Sequence, residues 1–316
     1  MAGALQIDGL VKRYGRTVAV DGVDLTVAEG EIFGILGPNG SGKSTTVECA
    51  YGLRTRDSGR IRVFGVDPQA QPDRVARMVG TQLQESALPE RIQVREAVHL
   101  FAALAREPVD EAAVIEQWGL AAKRHASFGS LSGGQRQRLF VALALVTRPR
   151  LVFLDEMTTG LDPAARREVW ELVDTIRAEG TTVVLVTHFM DEAERLCDRV
   201  AVLHQGRVVA QDTPGGLIDR YGGGTRARFR APRPDPGGYA RLPGVHAATC
   251  HGDTVEVHGS GAFLTALGHH LTVHGHGDTA LRVDPANLED AYVNLLAQQR
   301  PVPAPVLVPA AAEGGD

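Results

Sequence analysis

Lysine and cysteine are both scarce in this chain of 316 residues. Only three of the 33 basic side chains are lysines, and 38 acidic side chains leave a net charge of −5. This balance provides no overall basic surface, so a nucleic-acid partner is not expected. Cys49, Cys197 and Cys250 are odd in number and widely spaced. They fit a reducing cytoplasm better than a disulfide framework.

Long apolar runs are also missing. The longest run, Leu139–Val146, is far shorter than the ~20 apolar residues that a membrane-spanning helix needs. The first ten residues lead directly into a strand pattern, so no signal peptide is expected. If the chain serves transport, we expect another polypeptide to form the pore.

A glycine-rich segment fits the phosphate-binding pattern Gly-x4-Gly-Lys-Ser. It follows an apolar strand pattern at Ile32–Leu36 and precedes a helical pattern, which is the order that a phosphate-binding loop requires. Glycines let backbone N–H groups point at the phosphates, Lys43 reaches the β- and γ-phosphates, and the Ser44 hydroxyl holds Mg²⁺. The predicted ATP-binding residues here are Gly37, Pro38, Asn39, Gly40, Ser41, Gly42, Lys43, Ser44 and Thr45.

A second apolar strand pattern, Leu151–Leu154, ends in two carboxylates. We expect Asp155 to bind Mg²⁺ directly or through water, and Glu156 to polarise the attacking water. Phosphoryl transfer requires little beyond such positioning and charge neutralisation. Alone, the segment could be an ordinary strand that ends in an acidic turn. Because the same chain also carries the phosphate-binding Lys43, the catalytic interpretation of this segment is favoured.

A third segment, Leu131–Gln135, opens a helical pattern. Ser132 is a suitable N-cap, and its hydroxyl forms an anion site with the helix dipole and the N–H groups of Gly133 and Gly134.

The three segments, in this order, resemble those of the ATP-binding subunits of ABC transporters. The resemblance covers residues 4–217, about two-thirds of the chain. It implies an α/β fold: a P-loop NTPase core with an N-terminal antiparallel β subdomain and a helical subdomain inserted at about 85–145. It also implies that Ser132, Gly133, Gly134 and Gln135 bind the ATP of a second subunit docked head to tail, so that the chain acts as a homodimer.

Further roles follow from the same resemblance. Gln84 would contact Mg²⁺ and the attacking water, in a loop that touches the membrane subunit; Gln82 is a competing assignment. Asp162 would cross the dimer seam, and His188 would contact the γ-phosphate. Tyr14 would stack on adenine, although packing against the small sheet is the alternative for this ring.

One position departs from the family pattern. Proline usually follows the catalytic glutamate, whereas this chain has Met157. Because proline stiffens a turn and methionine does not, we expect a looser loop with little loss of catalysis.

Strand and helix patterns divide the chain at about residue 220, where glycines form a flexible joint. We predict an ATP-binding domain at 4–220, a small C-terminal α+β accessory domain at 225–299 and a disordered tail at 300–316. In the first domain, strands are predicted at 5–10, 17–20, 23–27, 32–36, 60–64, 151–155, 182–187, 200–203 and 207–210, and helices at 94–105, 111–118 and 163–178. In the accessory domain, strand patterns fall at 226–230, 245–250, 253–258, 271–274 and 279–283, with a helix at 261–270.

A last helix is predicted after Asp284-Pro285, an N-cap and N1 pair. Its segment Asn287–Tyr292 resembles the acidic C-terminal segment of daunorubicin-resistance-type exporters, although packing on its own domain is the alternative. Histidines cluster nearby but match no common metal-ligand spacing, so a solvated surface is expected. These histidines are His246, His251, His258, His269, His270, His274 and His276.

The leading hypothesis is therefore the ATP-hydrolysing subunit of an ABC exporter of the ABC-2, multidrug type. It would use ATP and Mg²⁺, work with a separate polytopic membrane permease, and lie on the cytoplasmic face of the cell membrane. A non-transport ABC ATPase, for example in cluster assembly, is the alternative. A regulatory protein with a dead site is disfavoured by the intact Lys43, Asp155, Glu156 and His188.

Overall fold

The computed structural model describes residues 3–83, 87–105, 107–274 and 280–299. These residues separate into two compact units. The first contains the described residues up to Arg220 together with Asn287–Glu289. The second contains Tyr221–Ala286 and the described residues from Asp290 onward. Gln84 and the tail predicted at 300–316 lie outside the described residues.

The first unit is built from two sheets and several helices. Its strands are β1 (Leu5–Tyr14), β2 (Thr17–Val27), β3 (Ile32–Leu36), β4 (Ser58–Val63), β5 (Val79–Gln82), β6 (Leu151–Asp155), β7 (Thr182–Thr187), β8 (Arg199–His204) and β9 (Arg207–Asp212). Its helices are α1 (Lys43–Ala50), α2 (Pro72–Ala76), α3 (Val94–Ala102), α4 (Glu111–Gln117), α5 (Gly133–Leu145), α6 (Pro163–Ala178), α7 (Met190–Leu196) and α8 (Pro214–Tyr221), the last residue of α8 belonging to the second unit.

The larger sheet has the strand order β5-β6-β7-β3-β8-β9, parallel except for β9. Every residue of β3, β6 and β7 is buried, as expected for continuous apolar runs in a parallel sheet covered on both faces. Leu36 pairs with Thr187 and Asp155 with Val186. The carboxyl ends of these three central strands therefore lie at one edge of the sheet.

The smaller sheet is antiparallel, with the order β2-β1-β4. The two short strands predicted at 17–20 and 23–27 form one continuous strand, β2. Gly22 lies between them with φ +73° and allows β2 to continue through an irregular register with β1 instead of ending.

Helices α3, α4 and α5 form the segment between β5 and β6. A capping box fixes the start of α3, because Gln93 and Glu96 satisfy each other's backbone N–H groups. Val94, Ala97 and Val98 form its buried face. The helix ends at Ala102, three residues before the predicted end.

The second unit follows the order strand-helix-strand-strand-helix-strand. Its elements are β10 (Thr225–Arg230), α9 (Pro236–Ala240), β11 (Val245–His251), β12 (Thr254–Gly259), α10 (Phe263–Val273), β13 (Arg282–Asp284) and α11 (Leu288–Gln298), which begins in the first unit. The antiparallel sheet order β11-β12-β10-β13 is that of a ferredoxin-like fold.

Two predictions in this unit were wrong. Residues 271–273 lie in helix α10, not in a strand, because Phe263, Leu267 and Leu271 continue one buried face at intervals of four residues. The last helix begins at Leu288, three residues after Pro285. Of the residues described, no helix is long and apolar enough to cross a membrane.

Candidate nucleotide-binding and hydrolysis site

The loop between β3 and α1 has a backbone that requires glycine. Gly42 has φ +101°, and a Cβ atom there would lie 2.5 Å from the carbonyl oxygen of Ala19. Gly40 also has a positive φ, +78°. The turn is closed by the Ser41 N–H, which donates to the Pro38 carbonyl over 3.1 Å. Strand, loop and helix therefore have the geometry predicted for a phosphate cradle.

The Lys43 side chain lies inside this loop. Its ammonium donates to the Gly37 carbonyl at 2.7 Å and to the Pro38 carbonyl at 3.2 Å. Burial lowers the pKa of Lys43, whereas the nearby carboxylates of Glu156 and Asp155 raise it. The loop carbonyls thus hold the ammonium where phosphate oxygens can replace them as acceptors.

Asp155 ends β6 and is only 7% exposed. Burial raises the pKa of this carboxyl to about 6 and the charge of Glu156 adds to the effect, while Lys43 and a hydrogen bond with Ser44 oppose it. Among the described atoms, Asp155 Oδ1 is buried without a hydrogen-bond partner. A paired hydroxyl and an unsatisfied carboxylate oxygen match the hard oxygen ligands that Mg²⁺ prefers.

Glu156 adopts φ +49°, a left-handed conformation that costs a non-glycine residue about 1–3 kcal/mol. Its N–H donates to the Val186 carbonyl on β7 over 2.8 Å, which holds the turn against the neighbouring strand. Glu156 Oε1 lies 3.1 Å from His188 Nδ1, and Thr159 Oγ1 lies 3.5 Å from Glu156 Oε2. The two predicted catalytic residues are therefore in direct contact.

Met157 is fully buried behind this turn. Backbone hydrogen bonds close the loop that follows, from the N–H groups of Thr159 and Leu161 to the carbonyls of Glu156 and Thr158. The looser loop expected from methionine at this position stays a prediction.

Ser132 and Gly133 are exposed at the start of α5. Ser132 and Gln135 form a reciprocal capping box, with distances of 3.4 Å and 3.0 Å. Gly134 packs so closely against α6 that an added Cβ would lie 3.4 Å from Ala165 Cβ. Asp162 caps that neighbouring helix. The starts of α5 and α6 therefore lie side by side.

Two further predicted residues, Tyr14 and the competing Gln82, lie at the ends of β1 and β5. The Tyr14 ring, at the end of β1, is 42% exposed and has the cations of Lys12 and Arg54 each 5.5 Å from its centroid. Gln82 is buried, and its amide donates to the Leu83 carbonyl at 2.8 Å. The choice between Gln82 and Gln84 stays open, because Gln84 lies outside the described residues.

Comparison with known proteins decides the family. Residues 20–159 match the ABC transporter family. The chain is 43% identical to the daunorubicin/doxorubicin resistance ATP-binding protein of Streptomyces peucetius, over 69% of this chain and 68% of that protein. It is 36% identical to a Nod factor export ATP-binding protein of Rhizobium sp. (strain N33), over 94% and 98%.

The chain belongs to the ABC transporter family. It is an ATP-hydrolysing subunit of the exporter type. A solved dimeric bacterial ABC transporter cassette has a similar fold, with a TM-score of 0.61 and 25% identity over 66% of this chain and 98% of that one. The predicted family and α/β fold class are confirmed.

Sequence reasoning missed some side chains of this ATPase. Thr159 reaches Glu156, and buried Glu192 on α7 accepts a hydrogen bond from Thr158. The one sequence signal for Glu192 is that an acid lies in the helix that follows His188. Acids are common in the first turn of a helix without special function.

Replacement of Tyr14 by alanine tests the proposed adenine platform. A base stacked on an aromatic ring gains about 1–3 kcal/mol, so we expect roughly tenfold weaker ATP binding for Tyr14→Ala. Tyr14→Phe keeps the ring and serves as the control. Titration of both variants with a fluorescent adenine nucleotide measures the difference, and equal affinity for the two would favour plain packing of Tyr14 on the sheet.

Proposed function

We propose that two copies of this chain close head to tail on ATP and Mg²⁺ and thereby drive a separate polytopic membrane permease. The ATPase would lie on the inner face of the cell membrane as a peripheral subunit. The cargo would be a drug-like or other hydrophobic compound.

The exposed start of α5 carries the proposal of a dimer. It presents the Ser132 hydroxyl, glycine N–H groups and a helix dipole, which together favour a phosphate. The Ser132 hydroxyl accepts a hydrogen bond from the Gln135 N–H, and the Ser132 N–H donates to Gln135 Oε1. The exposure of Ser132 and Gly133 supports the proposal that this site receives the nucleotide of a second copy. The bacterial cassette with a similar fold is dimeric, which supports a dimer of this chain.

Ser44 and Asp155 are the proposed protein ligands of Mg²⁺. No group of three or more His, Cys, Asp or Glu side chains within the described residues could hold a metal. This fits a magnesium ion that is bound mainly by nucleotide phosphates and water, with one or two oxygen ligands from the protein. The ion would neutralise charge on the phosphates, and the chain's own residues would orient the attacking water.

The cargo is proposed from the relatives. One is named for daunorubicin and doxorubicin resistance, and another for Nod factor export. The second name describes the export of a compound, which disfavours a non-transport ATPase. The match to the Nod factor protein also extends through the second unit of this chain.

A groove in the first unit is the proposed docking surface for the permease. Its volume is about 670 Å³, and Thr81, Phe101, Leu104 and Leu143 are among its lining residues. Leu104 is 75% exposed and is therefore accessible to an apolar side chain of a partner. Residues of β5 line the groove. Gln84 follows β5 in the sequence and belongs to the loop that is expected to touch the membrane subunit.

Co-purification from detergent-solubilised membranes tests the permease and its docking surface together. We expect the tagged wild-type chain to recover a polytopic membrane protein in about equal amount. Leu104→Asp should lose this partner, because a carboxylate in an apolar contact must be desolvated. Leu53→Asp, at another exposed leucine (62% exposed), is the matched control and should keep the partner.

ATP binding is measured in each variant to show that the cassette is intact. Recovery of soluble partners alone by the wild-type chain would contradict the exporter proposal. Retention of the permease by Leu104→Asp would leave the exporter standing and reject the groove as the docking surface.

A further inference from the structure

Glu192, in the first turn of α7, is fully buried. Burial raises the pKa of this carboxyl above its ordinary value, against the opposing effects of hydrogen bonds with Thr187, Thr158 and Trp170 and of the charge of Arg166. Buried carboxyl groups are unfavourable unless their partners are well placed. The position therefore calls for an explanation that an exposed glutamate would not.

The partners of Glu192 connect it to the turn that carries Glu156. The Thr158 hydroxyl donates to Glu192 Oε1 over 2.9 Å, and Thr158 lies two residues after Glu156. The indole N–H of Trp170, on α6, donates to the same oxygen over 3.3 Å. One carboxylate oxygen thus joins the turn after β6 to helix α6.

Helix α7, which carries Glu192, begins two residues after His188. The N–H of Phe189 donates to Thr187 Oγ1 over 3.0 Å, which fixes the step from β7 into α7. The rings of His188 and Phe189 have centroids 4.1 Å apart. The guanidinium of Arg166, again from α6, lies 4.3 Å from the centre of the Phe189 ring.

Two contacts therefore join the same two chain segments. In the candidate site, His188 Nδ1 lies 3.1 Å from Glu156 Oε1. In the buried interior, Glu192 Oε1 accepts a hydrogen bond from the Thr158 hydroxyl. Because the contact between Glu192 and Thr158 is buried whereas the His188 side chain is 38% exposed, the buried contact is the one that can preserve the register of the two loops.

We propose that Glu192 is a positioning residue that holds Glu156 and His188 in register for ATP hydrolysis. In this role it acts through Thr158 and the start of α7. This role rests on the proposed catalytic use of Glu156 and His188, which the Glu156→Gln variant tests on its own: a fully active Glu156→Gln would reject the catalytic assignment whatever Glu192 does.

Steady-state ATP hydrolysis by Glu192→Ala and Glu192→Gln tests the proposal. A displacement of about 1 Å at a reacting group can cost roughly 100-fold in rate, so we expect kcat of Glu192→Ala to fall about 10- to 100-fold. KM for ATP should change little, because the phosphate loop is untouched. Glu192→Gln keeps an acceptor oxygen for Thr158 and Trp170 and should recover most of kcat.

Glu171→Ala is the matched control. It removes an exposed glutamate next to Trp170 on α6 and should leave kcat unchanged. Equal kcat for Glu192→Ala and Glu171→Ala, at a temperature where both are folded, would overturn the proposal. A parallel loss of ATP binding in Glu192→Ala would also overturn it, since a positioning role predicts a change in kcat alone.

Thr158→Val provides a second route if Glu192→Ala does not fold. Valine keeps the shape of threonine and removes only the hydroxyl that donates a hydrogen bond to Glu192 Oε1. We expect kcat of Thr158→Val to fall as it does in Glu192→Ala. The double variant Thr158→Val, Glu192→Gln should have the same kcat as Thr158→Val alone. Unchanged kcat in Thr158→Val would reject the link between the two segments.

Discussion

Glu156→Gln should bind ATP, remain dimeric with it and hydrolyse it at least about 100-fold more slowly. Glutamine keeps the size of the side chain and its contact with His188 but cannot accept a proton from water. General-base catalysis of this kind contributes about 100- to 10,000-fold in rate. Phosphate binding by Lys43 and the loop glycines should be largely kept, because the Gly37 and Pro38 carbonyls hold the Lys43 ammonium in the loop.

Two measurements define this result. Single-turnover hydrolysis gives the rate of the chemical step, and size-exclusion chromatography with light scattering follows the dimer in ATP. Glu116→Gln, at an exposed glutamate on α4, is the control for removal of one negative charge and should match wild type. Hydrolysis by Glu156→Gln at the wild-type rate would show that another group activates the water.

Ser132→Arg should abolish both ATP-dependent dimerisation and hydrolysis while a single subunit still binds nucleotide. The bulky guanidinium would fill the space that a partner's γ-phosphate is proposed to occupy. It would also remove the N-cap of α5, which costs about 1 kcal/mol of stability. Because Ser132 is exposed in its own chain, the fold itself should tolerate the change.

Ser132→Ala separates these two effects. It removes the cap and the hydroxyl without adding bulk, so we expect a weaker ATP-dependent dimer that light scattering still detects. Nucleotide binding to the monomer is measured by fluorescence titration for each variant. If Ser132→Arg loses nucleotide binding as a monomer, the serine serves its own subunit and the head-to-tail proposal is wrong.

The two single variants are expected to populate opposite states, and the double variant shows whether dimer closure precedes ATP hydrolysis. Glu156→Gln should accumulate the ATP-bound dimer, and Ser132→Arg should never form it. The double variant should behave as Ser132→Arg, because closure has to precede hydrolysis. A stable ATP dimer in the double variant would place the contact between subunits elsewhere.

Elements whose signals are local were predicted residue for residue. The strands Ile32–Leu36, Leu151–Asp155 and Thr182–Thr187 are mostly apolar, and their bounds in the structure equal the predicted ones. Helix α6 has the predicted bounds, and its start is fixed because Asp162 caps it and Pro163 occupies its first position. Elsewhere local signals misled, as in residues 271–273, where burial against the second unit's core continued helix α10.

The sequence by itself determined the phosphate loop, the capped start of α5 and the family, because each depends on residues close together in the chain. Only the tertiary structure decided that His188 meets Glu156, 32 residues earlier, and that Glu192 meets Thr158, 34 residues earlier. Those contacts depend on the register of β6 against β7 and on how α7 packs behind them. No local pattern encodes such a register, since it is set by the burial of the whole sheet.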